Sequence, residues 1–293
     1  MTQISSRTRH SVALQYDLSD VEFQKISKLA HQNYGLCLPE TKKALVYARL
    51  SKRLRVLGLR SFSEYCSLLS DEKCEERTQL LTALTTNVTH FFREAHHFET
   101  LQQQVFPDLI DRARKGQTIR IWSAGCASGQ EPYSIAMSML DFASDVSQLD
   151  IRIRATDIDP QILQVARGGE YPSDSFDVVP AHIRNANTYK VDQNRMSVSK
   201  RVKDLVDFEE MNLVQDWASK PQFDVIFCRN VTIYFDSMTK SELWCRFRHA
   251  LQECGYLFIG HSERLDRETS AHFKTIGVTA FKKGGAKRNG VTA

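Results

Sequence analysis

No run of apolar residues in this 293-residue chain approaches the roughly 20 that a transmembrane helix needs. The first fifteen residues also lack the apolar stretch of a signal peptide, so the protein is expected in the cytoplasm. There is no Cys-x-x-Cys pair. The seven cysteines (Cys37, Cys66, Cys74, Cys126, Cys228, Cys245, Cys254) stand singly, outside any zinc-type cluster, and read as reduced thiols, most of them buried. His90, His96, His97 and His261 have no carboxylate or thiolate at ligand spacing, so no metal is expected. Also missing is Gly-x-Gly-x-x-Gly, the turn that cradles a dinucleotide pyrophosphate. No glycine occurs between Gly169 and Gly255, no internal repeat is found, and the net charge of +4 is too small to name a partner.

What is present is an ordinary globular composition, 42% hydrophobic and 25% charged, long enough for a large domain plus a small one. Residues 1–18 are expected to be flexible. From Ser19 to Thr86 the periodicity is helical, and Ser19 with Glu22, and Ser61 with Glu64, have capping-box spacing. Residues 87–117 link this region to 118–282, where strands and helices alternate. Strands are expected at Thr118–Trp122, Asp150–Thr156, Leu205–Glu209, Phe223–Cys228 and Tyr256–Gly260, with helices near Glu131–Ala143, Pro160–Arg167 and Ser237–Leu251. Strands as apolar as Phe223–Cys228 belong in a parallel sheet covered on both faces, which makes the domain doubly wound α/β. The stretch of about 171–204 is too long for a simple connection, and the alternation around Asp192-Gln193-Asn194 suggests an inserted antiparallel hairpin. The tail, 283–293, is expected to be disordered.

The first strand empties into the turn Gly125-Cys126-Ala127-Ser128-Gly129-Gln130-Glu131-Pro132, and Pro132 suits the first turn of the helix that follows. Ligands of open α/β sheets sit outside the carboxyl ends of strands, close to such turns. Glycines four apart argue against a pyrophosphate. Glu131, an acid at a helix start, repels phosphate and attracts a cation. Asp157, ending the second strand, can accept from both ribose hydroxyls. S-adenosylmethionine, a nucleoside with a sulfonium, an amino group and no phosphate, meets that description, although either feature alone is more often structural.

Further motifs name a family. Thr85-Thr86-Asn87-Val88-Thr89-His90-Phe91-Phe92-Arg93-Glu94, Glu210-Met211-Asn212-Leu213, Phe227-Cys228-Arg229-Asn230-Val231-Thr232-Ile233-Tyr234-Phe235 and Gly260-His261-Ser262-Glu263, with the turn, closely resemble the chemotaxis receptor methyltransferase family, CheR. The resemblance runs from about Ser19 to Phe281. It implies a Rossmann-like S-adenosylmethionine methyltransferase sheet with a small all-α domain before it and a β subdomain inserted in it. It also implies methyl transfer to glutamates of methyl-accepting chemotaxis receptors, giving glutamyl 5-O-methyl esters and S-adenosylhomocysteine. Carried over by position, the cofactor contacts are Asn87, Thr89, Arg93, Glu131, Asp157, Asn212, Leu213, Arg229 and Asn230, with Arg93 and Tyr234 near the chemistry. One departure is Ala127-Ser128-Gly129-Gln130-Glu131 where the family has Ser-Thr-Gly-Glu-Glu, which removes a charge beside the turn.

Each residue also has a plainer reading. Tyr234 can pack beneath the sheet, Arg93 can cap a helix, and Cys126 and Cys228 can be small buried hydrophobes. Between Lys42 and Arg60 lie seven cations and no acid, with Val46, Leu50, Leu54 and Leu57 on one helical side. The resemblance favours docking of Arg49, Lys52, Arg53 and Arg55 on an acidic receptor helix; a solvated face or nucleic-acid phosphate are alternatives. Some members of the family hold a receptor C-terminal pentapeptide on the inserted subdomain through a longer, glycine-containing loop. That glycine is missing here, so no such tether is expected. Two rival functions remain. A nucleic-acid methyltransferase would resemble Asp/Asn-Pro-Pro-Tyr where this chain has Arg229-Asn230-Val231-Thr232, and a non-enzymatic cofactor-binding adaptor would keep the same cofactor residues.

Overall fold

A computed structural model describes residues 16–217 and 223–284. Residues 1–15 of the expected flexible start, and the expected tail from 285 onward, lie outside the described residues. The chain forms two compact units, one running to Thr85 apart from residues 33–36, the other made of Asn33–Leu36 and Thr86 onward. Among the described residues no helix is long and apolar enough to cross a membrane.

The first unit is built from α1 (Asp20–Tyr34), α2 (Lys43–Leu57), α3 (Phe62–Leu69) and α4 (Glu76–Leu84). Ser19 and Glu22 form the reciprocal capping box: the Ser19 amide donates to the Glu22 carboxylate and the Glu22 amide donates to Ser19 Oγ. Ser61 caps α3 through the Glu64 amide, but the Glu64 carboxylate accepts from Arg60 N instead of Ser61 N, so this box is half made. Val46, Leu50 and Leu54 of α2 are fully buried, as the pattern requires, whereas Leu57, one residue before the left-handed Gly58, is 37% exposed.

The basic face of α2 is less available than its composition suggests. Arg53 grips the buried Glu76 in a two-pronged pair at 2.9 and 2.6 Å, and the Tyr65 hydroxyl adds a third bond at 2.9 Å. Burial and the adjacent carboxylate hold the Tyr65 phenol far above its ordinary pKa. Arg49 donates to the carbonyls of Ala83, Leu84 and Thr85, the free acceptors at the end of α4. Two of the four expected docking cations thus hold helices together, because buried acceptors need donors wherever the fold puts them. Lys52 and Arg55 are exposed.

The second unit contains a seven-stranded sheet of order β6-β2-β1-β7-β8-β10-β9: β1 (Ile119–Ala124), β2 (Ile151–Asp157), β6 (Val206–Glu210), β7 (Phe223–Cys228), β8 (Leu251–Ile259), β9 (Phe273–Gly277) and β10 (Ala280–Lys283). The first five are parallel; β10 runs antiparallel to β8, and β9 to β10. The chain winds outward from β1 to β2 and β6, then crosses back to β7. The reversal leaves a crevice at the carboxyl ends of β1 and β7, where such sheets bind ligands. Every residue of β7 is buried, including Asp224, which accepts from Arg112 and from the Arg120 amide. The expected parallel strands are present with ends displaced by a residue or two, except β8, which begins five residues early; the antiparallel β9 and β10 are additional.

The insertion is a separate sheet of order β3-β5-β4, from Glu170–Pro172, Arg195–Val198 and Thr188–Lys190. It contains the expected hairpin plus a third strand. Its turn is shaped by Asp192, whose Oδ1 accepts from the amides of Asn194 and Arg195 at 2.8 and 2.9 Å, a fold-back that needs no glycine. Those bonds hold the Asp192 carboxyl below its ordinary pKa.

Because Glu76 satisfies both Arg53 and Tyr65, Glu76→Ala should cost about 2–3 kcal/mol in urea unfolding, while the exposed Lys52→Ala should stay within about 0.5 kcal/mol.

Candidate active site

The turn after β1 is drawn tight by its neighbours. Gly125 N and Cys126 N both donate to the Thr156 carbonyl at the end of β2, and Ala127 N donates to Asp157 Oδ2 at 2.8 Å. Gly125, Ala127 and Gly129 all have positive φ, +80°, +46° and +94°. A Cβ on Gly125 would stand 2.3 Å from Val231 Cγ2, and one on Gly129 3.0 Å from Ala166 Cβ. The two glycines therefore admit the loop after β7 and the helix Pro160–Gly168 as well as any ligand. The helix they feed begins at Gln130, two residues ahead of Pro132.

Asp157 accepts from Ala127 N on one oxygen and from Asp159 N on the other. Each oxygen keeps a lone pair. Burial raises the Asp157 pKa, opposed by those amides. Asn87 reaches the same corner, donating to Asp159 Oδ2 at 3.2 Å, and Met211 N donates to the Asp157 carbonyl, bringing Asn212 and Leu213 alongside. The Asn212 side chain bonds the Asn33 carbonyl and the Val214 amide, while the Leu213 carbonyl accepts from Trp217 and Arg246.

Glu131, expected to attract a cation at the helix start, already faces one inside the protein. It is 9% exposed, accepts from Ser123 Oγ at 2.7 Å, and pairs at 2.9 Å with Arg229 Nε. A buried charge needs an internal partner, and Arg229 is that partner. Burial pushes the Glu131 pKa up, and Arg229 pulls it back. Arg229 also donates to the Arg93 carbonyl at 2.7 Å and lies 3.0 Å from His97 Nδ1.

Around that guanidinium lies a cluster formed by Glu94-Ala95-His96-His97, with His261 brought to it from the loop after β8. Glu94 stands 3.5 Å from His97 Nδ1 and 3.1 Å from His261 Nδ1. Ligand-type atoms of Glu94, His96 and His97 lie within 4.8 Å of one another, so the expectation that these histidines have no carboxylate at ligand distance is corrected. The cation set against the cluster is Arg229. Burial, then Arg229, lowers the His97 pKa to about 3. The ring is therefore neutral near pH 7; Nδ1 accepts from Arg229 and Nε2 donates to Val278 O or Thr279 Oγ1.

Arg93 and Tyr234 come to the same short stretch: Arg93 Nη1 donates to the Val88 carbonyl at 3.0 Å, and the Tyr234 hydroxyl to that of Thr86 at 3.4 Å. Both side chains are half-exposed, Tyr234 is not packed beneath the sheet, and Thr89 is half-buried in the same segment. Asn230, left-handed at φ +59°, has a buried side-chain oxygen with no hydrogen-bond partner among the described residues. Of the seven cysteines, all free, only Cys126 and Cys228 are buried, so the expectation that most are buried does not hold. Burial raises both thiols well above their ordinary pKa, which suits packing and not nucleophilic chemistry.

Gly125→Ala combines a positive φ with a collision against Val231; it should cost about 1–3 kcal/mol of stability and weaken S-adenosylhomocysteine about tenfold or more by calorimetry. Gly116→Ala, at φ +82° with nothing within 4 Å of the added carbon, carries the backbone strain alone and is the control.

Comparison with known proteins bears on the whole chain. The family model described as the CheR methyltransferase SAM-binding domain matches residues 87–282, and that of the CheR methyltransferase all-alpha domain matches 21–85. The chain is similar to a probable chemotaxis protein methyltransferase of Rhizobium etli, 46% identical over 87% of this chain and 96% of that protein. Chemotaxis protein methyltransferases of Escherichia coli and Borreliella burgdorferi are 38% and 35% identical, over 88% and 86% of this chain and 91% of each of those proteins. With both of its regions matched in order, this chain belongs to the CheR family of S-adenosylmethionine-dependent methyltransferases.

Proposed function

We propose that the protein methylates glutamate side chains of methyl-accepting chemotaxis receptors, forming glutamyl 5-O-methyl esters in sensory adaptation. The observation that carries this reading is the pairing of a nucleoside-type corner with two polar side chains beside it. In the corner, Asp157 keeps lone pairs for ribose hydroxyls and Asn230 Oδ1 is a buried acceptor without a partner, suited to an amino group. Beside it, Arg93 and Tyr234 converge on Thr86–Val88. Asn87, Thr89, Glu131, Asn212, Leu213 and Arg229 complete the wall that holds S-adenosylmethionine.

When bound, S-adenosylmethionine supplies an electrophilic methyl group on its sulfonium. An unperturbed glutamate, with a pKa of about 4.3, is already ionised near neutral pH, so no general base is needed. Arg93 orients the acceptor carboxylate through a charge-assisted bond, and the Tyr234 hydroxyl fixes its second oxygen. Neither side chain takes up a proton. They align the acceptor and strip it of water, the part of the barrier that positioning can remove.

Lys52 and Arg55, exposed on α2, dock the acidic receptor helix, while Arg49 and Arg53 keep the helices that present them in place. The protein acts in the cytoplasm, held at receptor arrays by protein contacts, and the short turn closed by Asp192 does without a pentapeptide tether.

The decisive experiment incubates the protein with methyl-labelled S-adenosylmethionine and either receptor-bearing membranes or RNA. Base-labile label on receptors is expected, equally on receptors shortened at their C-terminus; label on RNA favours a nucleic-acid enzyme, and cofactor binding without label an adaptor. In the same assay, at saturating cofactor, Arg93→Ala and Tyr234→Phe should slow single-turnover transfer about tenfold or more, and near-normal rates would refute their roles. Lys52→Glu with Arg55→Glu should raise the receptor KM about tenfold and leave the cofactor KM unchanged.

A further inference from the structure

Glu263, in the loop after β8, is 3% exposed, yet its carboxylate accepts five hydrogen bonds. Oε2 accepts from Gly260 N at 2.6 Å and from Asn230 N at 2.9 Å. Oε1 accepts from Val231 N at 3.0 Å, Thr232 N at 2.8 Å and Thr232 Oγ1 at 2.9 Å. Three successive amides of the loop after β7 therefore converge on one side chain from another loop. Such a ring of N–H groups matches an anion, and a buried carboxylate that accepts them is well satisfied.

That loop carries Arg229, Asn230 and Tyr234. Its backbone turns left-handed at Asn230, φ +59°, a region that asparagine enters more readily than most residues. Val231, the middle residue gripped by Glu263, is the side chain that fills the space above Gly125. Gly260 has no room for a side chain: a Cβ would lie 2.9 Å from Asn230 N, Asn230 Nδ2 and Glu263 Oε2. The carboxylate thus sets the height of the loop over the cofactor turn, the direction of the Asn230 side chain, whose Oδ1 has no partner among the described residues, and the start of the Thr232–Tyr234 turn that delivers Tyr234.

We infer that Glu263 is the positioning residue of the site, a buried anion that moulds the Asn230–Thr232 backbone and so sets both cofactor affinity and the rate of transfer without touching either substrate. The inference rests on the methyl-transfer reading above for the parts assigned to Asn230 and Tyr234. In Glu263→Gln the side chain keeps its size, but in either orientation its NH2 faces N–H donors. The variant should lower kcat about tenfold or more and weaken S-adenosylhomocysteine by a similar factor, with the receptor KM changed less than threefold. Glu263→Asp, which keeps the charge on a shorter arm, should recover part of kcat. Hydrogen exchange at the amides of Asn230, Val231, Thr232 and Gly260 should accelerate at least tenfold in Glu263→Gln while Phe223–Cys228 stays protected. Normal kcat and affinity in Glu263→Gln, or equal acceleration throughout β7 and β8, would overturn the inference. Should neither variant fold, wild-type exchange decides: strong protection of the four amides supports the clamp and free exchange overturns it. A wild type that leaves receptors unlabelled, yet loses S-adenosylhomocysteine affinity and loop protection on Glu263→Gln, overturns the receptor reading and upholds this one.

Discussion

A guanidinium hidden from water has to be answered on every side, and Arg229 is answered by three segments far apart in the chain. Its side chain is 2% exposed, set between the carboxylate of Glu131, the carbonyl of Arg93 and the imidazole of His97. Removing any one of these would strand charge in a medium of low polarisability, so all three positions are coupled. The helix that follows the turn after β1, the segment from Thr86 to Glu94 and the loop after β7 are thus held in one register. Because His97 answers Arg229 with a lone pair, its other nitrogen must carry the proton, and that N–H reaches Val278 and Thr279 between β9 and β10. The antiparallel edge of the sheet is in this way tied to the centre.

The same logic explains why the acids of this site are poor advertisements for their own roles. Glu131 sits where a free carboxylate would attract a cation, yet its charge is spent on Arg229. Asp157 keeps capacity to accept because its partners are amides, which occupy one lone pair of each oxygen and leave its charge uncompensated. Two carboxylates close to one turn are thereby divided, one tying the scaffold and one left with chemistry to offer.

The parallel strands were legible because burial on both faces demands nearly continuous apolar runs, and β7 is such a run. The last strands were not: the edge strand Phe273–Gly277 and its neighbour Ala280–Lys283 are short and mix lysines with few apolar residues, and β3 is three residues ending in proline. The turn and Asp157 could be read because their chemistry is local. What escaped is pairing over distance: Arg53 finds Glu76 from 23 residues away, and His261 finds Glu94 from 167. A charge run shows how many cations a face owns; only packing shows how many it has given away.

The small β3-β5-β4 sheet enters at Gly169 and leaves at Val198, and its two ends meet at the Gly169 carbonyl, which accepts from Val198 N at 2.9 Å and from Ser197 Oγ at 3.3 Å. The near part of the segment is bound into the main unit, where the Tyr171 hydroxyl donates to the Ser128 carbonyl at 2.6 Å and Phe176 stacks on Phe91, whereas Asp192 closes the far turn. That turn can be lengthened, shortened or exchanged with β2 and β6 still paired beside the turn after β1. The far turn of the insertion and the turn after β1 can therefore change separately within one chain, because neither is needed to close the other.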